Sequence, residues 1–532
     1  MLDYWIKNGF LVDGSGSPGR HASIGIQGGR IARILPADAS MPARHVIDAA
    51  GRHIFPGFID LHTHSDHTLF LDGRGMSFLR QGVTLDTMGN CGYSAAPLGG
   101  QGVLAKNVFC YTPSDKPVTW GSMEEYFRTL ETAGLRGRVA ALVGHSALRS
   151  HVMGYSNRPA TKDELEQMCS LLQLCYDQGA AGFSTGLEYF PGKAAQQDEL
   201  QALCRVTAKN NRLYATHIRN RDRFYRQGYQ EAIDMARETG VRVQISHAIP
   251  KYGVPKEGAA WIVEAVEKAR TDSDVAYDII PFLWGPTSLT AILPAELLAL
   301  PTQELIHQLR QPSVRRALRE RSDCIWQLIV DRQWDLVKLQ HCSNSRQYIG
   351  KTLRQIGEER NQDPFDALLD IIVEEGPAMY SGLISGRLRS QEDSCLLLSQ
   401  PYCGVISDAM ALAKDGPLSQ IIWSDGCFSW ISALLRTYVY QTPLLSLEEA
   451  IRRITSLPAQ RLGLSGIGVL EEGSCADLAI MDLSAYLSPR AGSDYAQGLS
   501  WLFVDGQPVV EQDTLLTACP GSVLRFSRAG NS

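Results

Sequence analysis

The sequence predicts an α/β chain, a (β/α)8 barrel accompanied by a small β-sandwich built from both termini. Three observations carry that expectation. Eight strand-like apolar runs, separated by helix-like stretches, recur through the middle of the chain, which is the strand count of a TIM-like barrel. The two ends share a different style, with short alternating runs broken by glycine-rich turns. A length of 532 residues, with 44% hydrophobic and 20% charged content, suits one large barrel with attachments.

Residues 1–54 read as hairpins, with Asn8-Gly9, Asp13-Gly14 and Gly28-Gly29 at the turns. The barrel is expected over 55–461. Its strands end at His62 and His64, Thr87–Cys91, Leu142–His145, Gly182–Thr185, Tyr214–His217, Val243–His247, Ala276–Asp278 and Val405–Asp408. Helices are expected between them, including 162–178, opened by the capping box Thr161-Lys-Asp-Glu164, and 229–239. The seventh and eighth strands lie too far apart for one crossover. Residues of about 284–348, with four prolines and a charged helical run near 313–322, are therefore read as an insertion over the barrel mouth. Residues 462–532 return to the hairpin style and complete the sandwich.

Composition excludes several roles. The net charge of -6 is spread without a basic run, which argues against nucleic acid as a partner. No apolar stretch is long enough to span a bilayer, so no membrane partner is expected. The beginning Met1-Leu-Asp-Tyr-Trp-Ile-Lys lacks a signal-peptide core. Twelve cysteines without a Cys-x-x-Cys pair read as free thiols in a reducing, cytoplasmic setting. The sequence sets no oligomeric state. The partner left is a small molecule.

The chemistry concentrates at strand ends, where such barrels carry their active sites. Side chains alternate along a strand, so His62 and His64 share a face and Thr63 points away. Each histidine alone reads equally well as a packing residue. Together with Cys91, His217, His247 and Asp408, drawn from five strands, they read as a metal cluster. Histidine, thiolate and carboxylate suit zinc with an open position for water. A carboxylate beside the ion takes the water's proton and passes it to the leaving group, and Asp408 is the natural candidate.

The chain carries, in order, Pro56-Gly-Phe-Ile-Asp-x-His-x-His, Gly89-Asn-Cys-Gly92, Gly144-His-x-x-Leu-Arg149, Gly182-x-Ser-Thr-Gly-Leu187, Tyr214-Ala-Thr-His-Ile-Arg219, Val243-Gln-Ile-Ser-His247, Thr455-Ser-Leu-Pro-Ala459 and Ala476-Asp-Leu478. In the order and spacing of these pieces it resembles the amidohydrolase superfamily, and within it the N-acyl-D-amino-acid deacylases (D-aminoacylases). The resemblance implies a zinc-dependent hydrolase of a linear amide C–N bond. It implies that Cys91, His217 and His247 hold a tightly bound zinc, with His62, His64 and Asp408 as a second, weaker site. Hydantoinase-like relatives use a carboxylated lysine on strand four. The run Gly182–Glu188 has no lysine, which agrees with Cys91 as ligand. Ser-Asp occurs at both 407–408 and 424–425. The resemblance favours Asp408, because Gly426-Cys-Phe428 fits the Gly-x-Phe that follows the catalytic aspartate. Asp425 is the alternative. The other readings are a hydrolase or cyclase of cyclic amides or imides, a deaminase, and a non-catalytic barrel scaffold.

The departures fall where relatives bind a carboxylate. Ile249 replaces a lysine, Ile280 a tyrosine, and Ile421-Ile-Trp423 a His-Pro-Arg. Either Lys251, Arg219 or Arg221 supplies the cation, or the substrate lacks a carboxylate there and is more apolar. The cost of desolvating an unpaired carboxylate favours the second reading. It predicts poor activity on N-acetyl-D-amino acids. His145 reads as a substrate or ligand-orienting group, or as packing. Glu188 reads as a substrate contact, or as half of a rim ion pair with Arg149.

Overall fold

The computed structural model describes residues 1–99, 106, 108–111, 116–322 and 326–527. Its centre is an eight-stranded parallel sheet: β1 (Phe58–Asp60), β2 (Val83–Met88), β3 (Arg138–Gly144), β4 (Gly182–Gly186), β5 (Leu213–His217), β6 (Arg242–Ile245), β7 (Val275–Ile279) and β8 (Cys403–Val405). Each strand pairs in parallel with the next, in chain order. The two edges meet just beyond the strand ends. Thr63 bridges to Ala409, and the His64 N–H donates to the Ala409 carbonyl at 2.8 Å. The barrel is therefore almost closed, and the closing contacts lie among the candidate ligands.

The strands are apolar because the sheet is buried on both faces. Ile59, Leu61, Leu85, Leu142, Leu213 and Ile406 pack together in one apolar cluster. Of the two helices expected by position, one starts at Lys162 as its capping box marks it, and the other, expected from 229, starts earlier, at Tyr225. The helix Lys162–Asp177 carries both halves of the Thr161–Glu164 capping box, which satisfies backbone donors otherwise left over at a helix start. The next strand-to-strand crossing uses Gln197–Lys209, and the one after it Tyr225–Thr239.

The termini join in one nine-stranded sheet. It runs from Thr514–Leu515 through Gln507–Glu511, Leu499–Val504, Leu478–Met481, His53–Pro56, Leu2–Leu11 and Arg20–Gln27 to Arg30–Pro36, with Ala43–Asp48 also beside Leu2–Leu11. The C-terminal strand Leu478–Met481 lies antiparallel to His53–Pro56, just before the barrel begins. A buried ion pair fastens sheet to barrel: Arg138 at the start of β3 meets Asp477 at 2.7 Å.

Between β7 and β8 the chain leaves the barrel. It forms an antiparallel three-stranded sheet, Trp284–Ser288 with Leu383–Arg387 and Val337–His341, and, among the described residues, five helices of eight residues or more. The third strand of this sheet lies beyond residue 348, so the excursion is longer than proline content and charge suggest. Every described cysteine is free. Among the described residues, no helix is long and apolar enough to cross a membrane.

Candidate metal centre

The site is assembled where strands give way to loops. After β1, His62 and His64 turn their rings towards each other at 5.3 Å between centroids. Thr63 faces the other way, and its hydroxyl donates to the Asp86 carboxylate and the Thr87 carbonyl. After β2, the turn Gly89-Asn-Cys-Gly92 presents Cys91 in the left-handed region, at φ +53°. The turn is pressed against its neighbours. A Cβ on Gly89 would lie 2.2 Å from the Leu142 carbonyl oxygen, and one on Gly186 would lie 1.9 Å from that of Cys91. Only glycine fits at either place.

Around the Cys91 Sγ stand His62 Nε2 at 3.4 Å, His217 Nδ1 at 3.5 Å and His247 Nε2 at 3.3 Å. Bond lengths of about 2.3 Å for Zn–S and about 2.0 Å for Zn–N, at tetrahedral angles, place such donor atoms about 3.3–3.6 Å apart. The donor set thus fits zinc in both chemistry and spacing. Among the described residues, two groups bring all their donor atoms within 4.8 Å of one another: His62, Cys91 and His247, and His62, His64 and Asp408. His62 belongs to both. His217 reaches the first group through its contact with Cys91.

Asp408 follows β8, also left-handed, at φ +49°. Its Oδ1 lies 3.2 Å from His64 Nε2 and 3.5 Å from His62 Nε2. Burial alone would raise its carboxyl, but the hydrogen bond to His64 and the charges of His62, His64 and Arg221 hold it down to about 2. Trp423 locks the turn by donating from Nε1 to the Asp408 carbonyl at 2.6 Å, and its ring meets those of His64 and Phe109. Phe109 also packs on His64, at 4.6 Å. The alternative aspartate, Asp425, is exposed at the start of the helix Gly426–Leu434, with no described contact to these histidines.

A buried charge cluster supports the ligands from behind. Glu188, just past β4, accepts from His217 Nε2 at 2.6 Å and from Lys251 Nζ at 2.7 Å through each oxygen. Arg221 reaches Glu188 at 3.2 Å and His247 Nδ1 at 2.6 Å. Burial would raise the Glu188 carboxyl; Lys251, Arg221 and His217 outweigh it and hold it well below the usual range. Burial first, then neighbouring positive charge, drops His217 to about 3. Burial and the nearby histidines and Arg221, against the pull of Asp408, drop His62 to about 3. His247 is pushed well down for the same reasons of burial and positive charge. These imidazoles are neutral at physiological pH, as ligands must be.

The remaining expected residues are placed differently. His145 does not join the ligand cluster. Its Nε2 pairs with Glu199 at 2.6 Å, and Arg149 holds the same carboxylate. The rim ion pair of Glu188 with Arg149 is therefore replaced by two separate buried clusters, because Arg149 lies on the helix His145–Met153 and faces the helix that carries Glu199. Lys251 and Arg221 are engaged by Glu188, and Arg219 by Glu231 at 3.0 Å. Ile249 is buried, its backbone N–H donating to the Tyr229 hydroxyl. Ile280 packs in the apolar cluster with Ile59 and Ile406. Sequence reasoning missed Phe109, which lies in a connection without periodic pattern, and Glu199, which reads as an ordinary helix-surface acid.

The Amidohydrolase family profile matches residues 45–280. An N-acyl-D-glutamate deacylase of Alcaligenes xylosoxydans xylosoxydans is 31% identical, over 98% of this chain and 96% of its own. A D-aminoacylase of the same organism is 29% identical, over 99% and 98%. Among solved structures, the N-acyl-D-glutamate deacylase of Bordetella bronchiseptica, complexed with zinc and a phosphonate mimic of the tetrahedral intermediate, superposes with a TM-score of 0.80 at 28% identity, covering 98% of this chain and 99% of that one. A D-aminoacylase with a binuclear metal centre, described as activated by one metal and attenuated by a second, gives 0.80 at 26% identity, covering 99% and 100%.

Proposed function

The chain belongs to the amidohydrolase superfamily, among the N-acyl-D-amino-acid deacylases, and from that membership we propose that it is a zinc-dependent deacylase cleaving the linear amide of N-acyl amino acids. The observation that carries the reading is the convergence of Cys91, His62, His217 and His247 at tetrahedral-edge distances, with Asp408 beside them. Cys91, His217 and His247, with His62 adjoining, are the proposed holders of the tight ion. His62, His64 and Asp408 form the proposed weaker position. Zinc held there supplies Lewis acidity, polarising a carbonyl and making water a stronger acid.

The rest falls to the chain's own groups. Glu188 accepts the Nε2 proton of His217 and so turns the Nδ1 lone pair towards Cys91. Asp408, ionised and 13% exposed on its side chain, takes a proton from water on its carboxylate and returns it to the departing amide nitrogen. Trp423 and Phe109 form an aromatic wall against His64 that excludes bulk water from that side.

The test is a panel of N-acyl-D- and N-acyl-L-amino acids, lactams and cyclic imides, followed by mass spectrometry with chelated and zinc-restored protein. The expected outcome is zinc-dependent cleavage of linear amides. Asp408→Asn should lower kcat by about 10²–10⁴-fold with unchanged circular dichroism. A fully active Asp408→Asn, or turnover confined to cyclic substrates, would contradict the reading.

A further inference from the structure

Three cations expected from the sequence as readers of a substrate anion are engaged elsewhere. Lys251 and Arg221 hold Glu188, and Arg219 holds Glu231. A fourth, Arg389, is not. It follows the strand Leu383–Arg387 of the inserted sheet and is 8% exposed. Among the described residues its guanidinium has a single hydrogen bond, from Nη1 to the Ile280 carbonyl at 3.1 Å, and its Nε has none. No carboxylate pairs with it among the described residues. A buried guanidinium carries several donors in a rigid fork, and leaving them unfilled is costly.

Its surroundings point to a ligand. The Ile280 carbonyl places Arg389 at the outer end of β7, and the charges of both Asp408 and Arg221 act on it. It also lines a cleft of about 450 Å³ between residues 250–256 and 387–393, whose wall includes Lys251, Lys256 and Arg387 as well as the acids Glu392 and Asp393. A buried cation therefore forms part of the wall of this cleft.

We propose that Arg389 is the residue that reads the carboxylate of the substrate's amine half, and that the cleft beside it is an anion subsite. The cation is supplied by the inserted sheet, in place of barrel positions where Ile249, Ile280 and Trp423 now stand. Arg389 meets the carboxylate through its unfilled donors while keeping the Ile280 contact. The proposal rests on the deacylase reading for the identity of the ligand. It sets aside the alternative in which the apolar substitutions signal a substrate without a charge.

The test uses pairs of ligands that differ only in the carboxylate: N-acetyl-leucine and N-acetyl-methionine, each as D and L forms, against the N-acetyl alkylamines that lack the carboxyl group. Binding is measured first on zinc-free full-length protein, where turnover does not interfere. The acid should bind at least about tenfold more tightly than its neutral partner. Arg389→Gln should remove that preference while leaving affinity for the neutral partner within about threefold, and Arg389→Lys should retain part of it. With zinc restored, Arg389→Gln should raise KM for the acid about 10–100-fold with little change in kcat. Equal losses on both members of a pair would assign Arg389 a purely structural role. An undiminished preference in Arg389→Gln, or no preference in the wild type, would overturn the subsite. Arg389-dependent binding without hydrolysis would leave the subsite standing and remove the deacylase reading instead.

Discussion

Cys91, His247 and Asp408 all sit at positive φ, at +53°, +40° and +49°. A non-glycine residue held there costs about 1–3 kcal/mol, so three at one point mark a site whose backbone is set by function. The protonation states have a measurable consequence. The buried imidazoles of His62 and His217 are held at about 3, so they lose no proton when a metal binds at neutral pH. The Cys91 thiol, raised by burial and then by the charge of Asp408, still carries its proton. Zinc loading at pH 7 should therefore release about one proton per ion, from Cys91. Calorimetry in buffers of different ionisation enthalpy counts it directly. A release near zero, or near three, would contradict these states. At this scale the sequence shows the ligands, because residue types at strand ends are visible in it. It does not show that His145 and Arg149 meet Glu199, since helix-borne charges acquire partners only when the helices pack.

The elements that carry the ligands are joined by Glu188, Lys251 and Arg221, which tie the ends of β4, β5 and β6 together. All three side chains are 8% exposed or less, so solvent does little to screen them. Removing the carboxylate takes a close counter-charge from two buried cations. Glu188→Gln should cost about 3–5 kcal/mol of stability and weaken zinc binding about 10–100-fold, and adding Lys251→Met should recover part of the stability. Denaturant unfolding and chelator competition measure the two effects. A loss below about 1 kcal/mol would place this cluster with exposed pairs of little consequence. The strand ends themselves are legible because period, glycine turns and terminal polar residues agree. The inserted sheet is less so. Its third strand, Leu383–Arg387, runs Leu-Ile-Ser-Gly-Arg, too short and mixed to separate from a turn. Arg389, two residues further on, looks like a surface charge until the fold buries it.

For the whole molecule, the question is whether groups 29 to 346 residues apart in sequence meet at one point. Cys91 is 29 residues from His62 and 156 from His247, and Asp408 is 344 from His64. A near-closed parallel barrel brings all its strand ends to one rim, so the fold converts wide separation into contact distances. The terminal sheet and the β3-fastening pair Arg138–Asp477 hold that barrel at its opposite approach. The sequence shows the barrel through repetition. It does not show that His62 stands in both donor groups, because that depends on how the two edges close at Thr63 and Ala409. The most direct measurement is X-ray absorption at the zinc edge on protein loaded with one equivalent. The account predicts a first shell with one sulfur at about 2.3 Å and nitrogen or oxygen ligands at about 2.0 Å, the sulfur disappearing in Cys91→Ala. A sulfur-free shell in the wild type would contradict it.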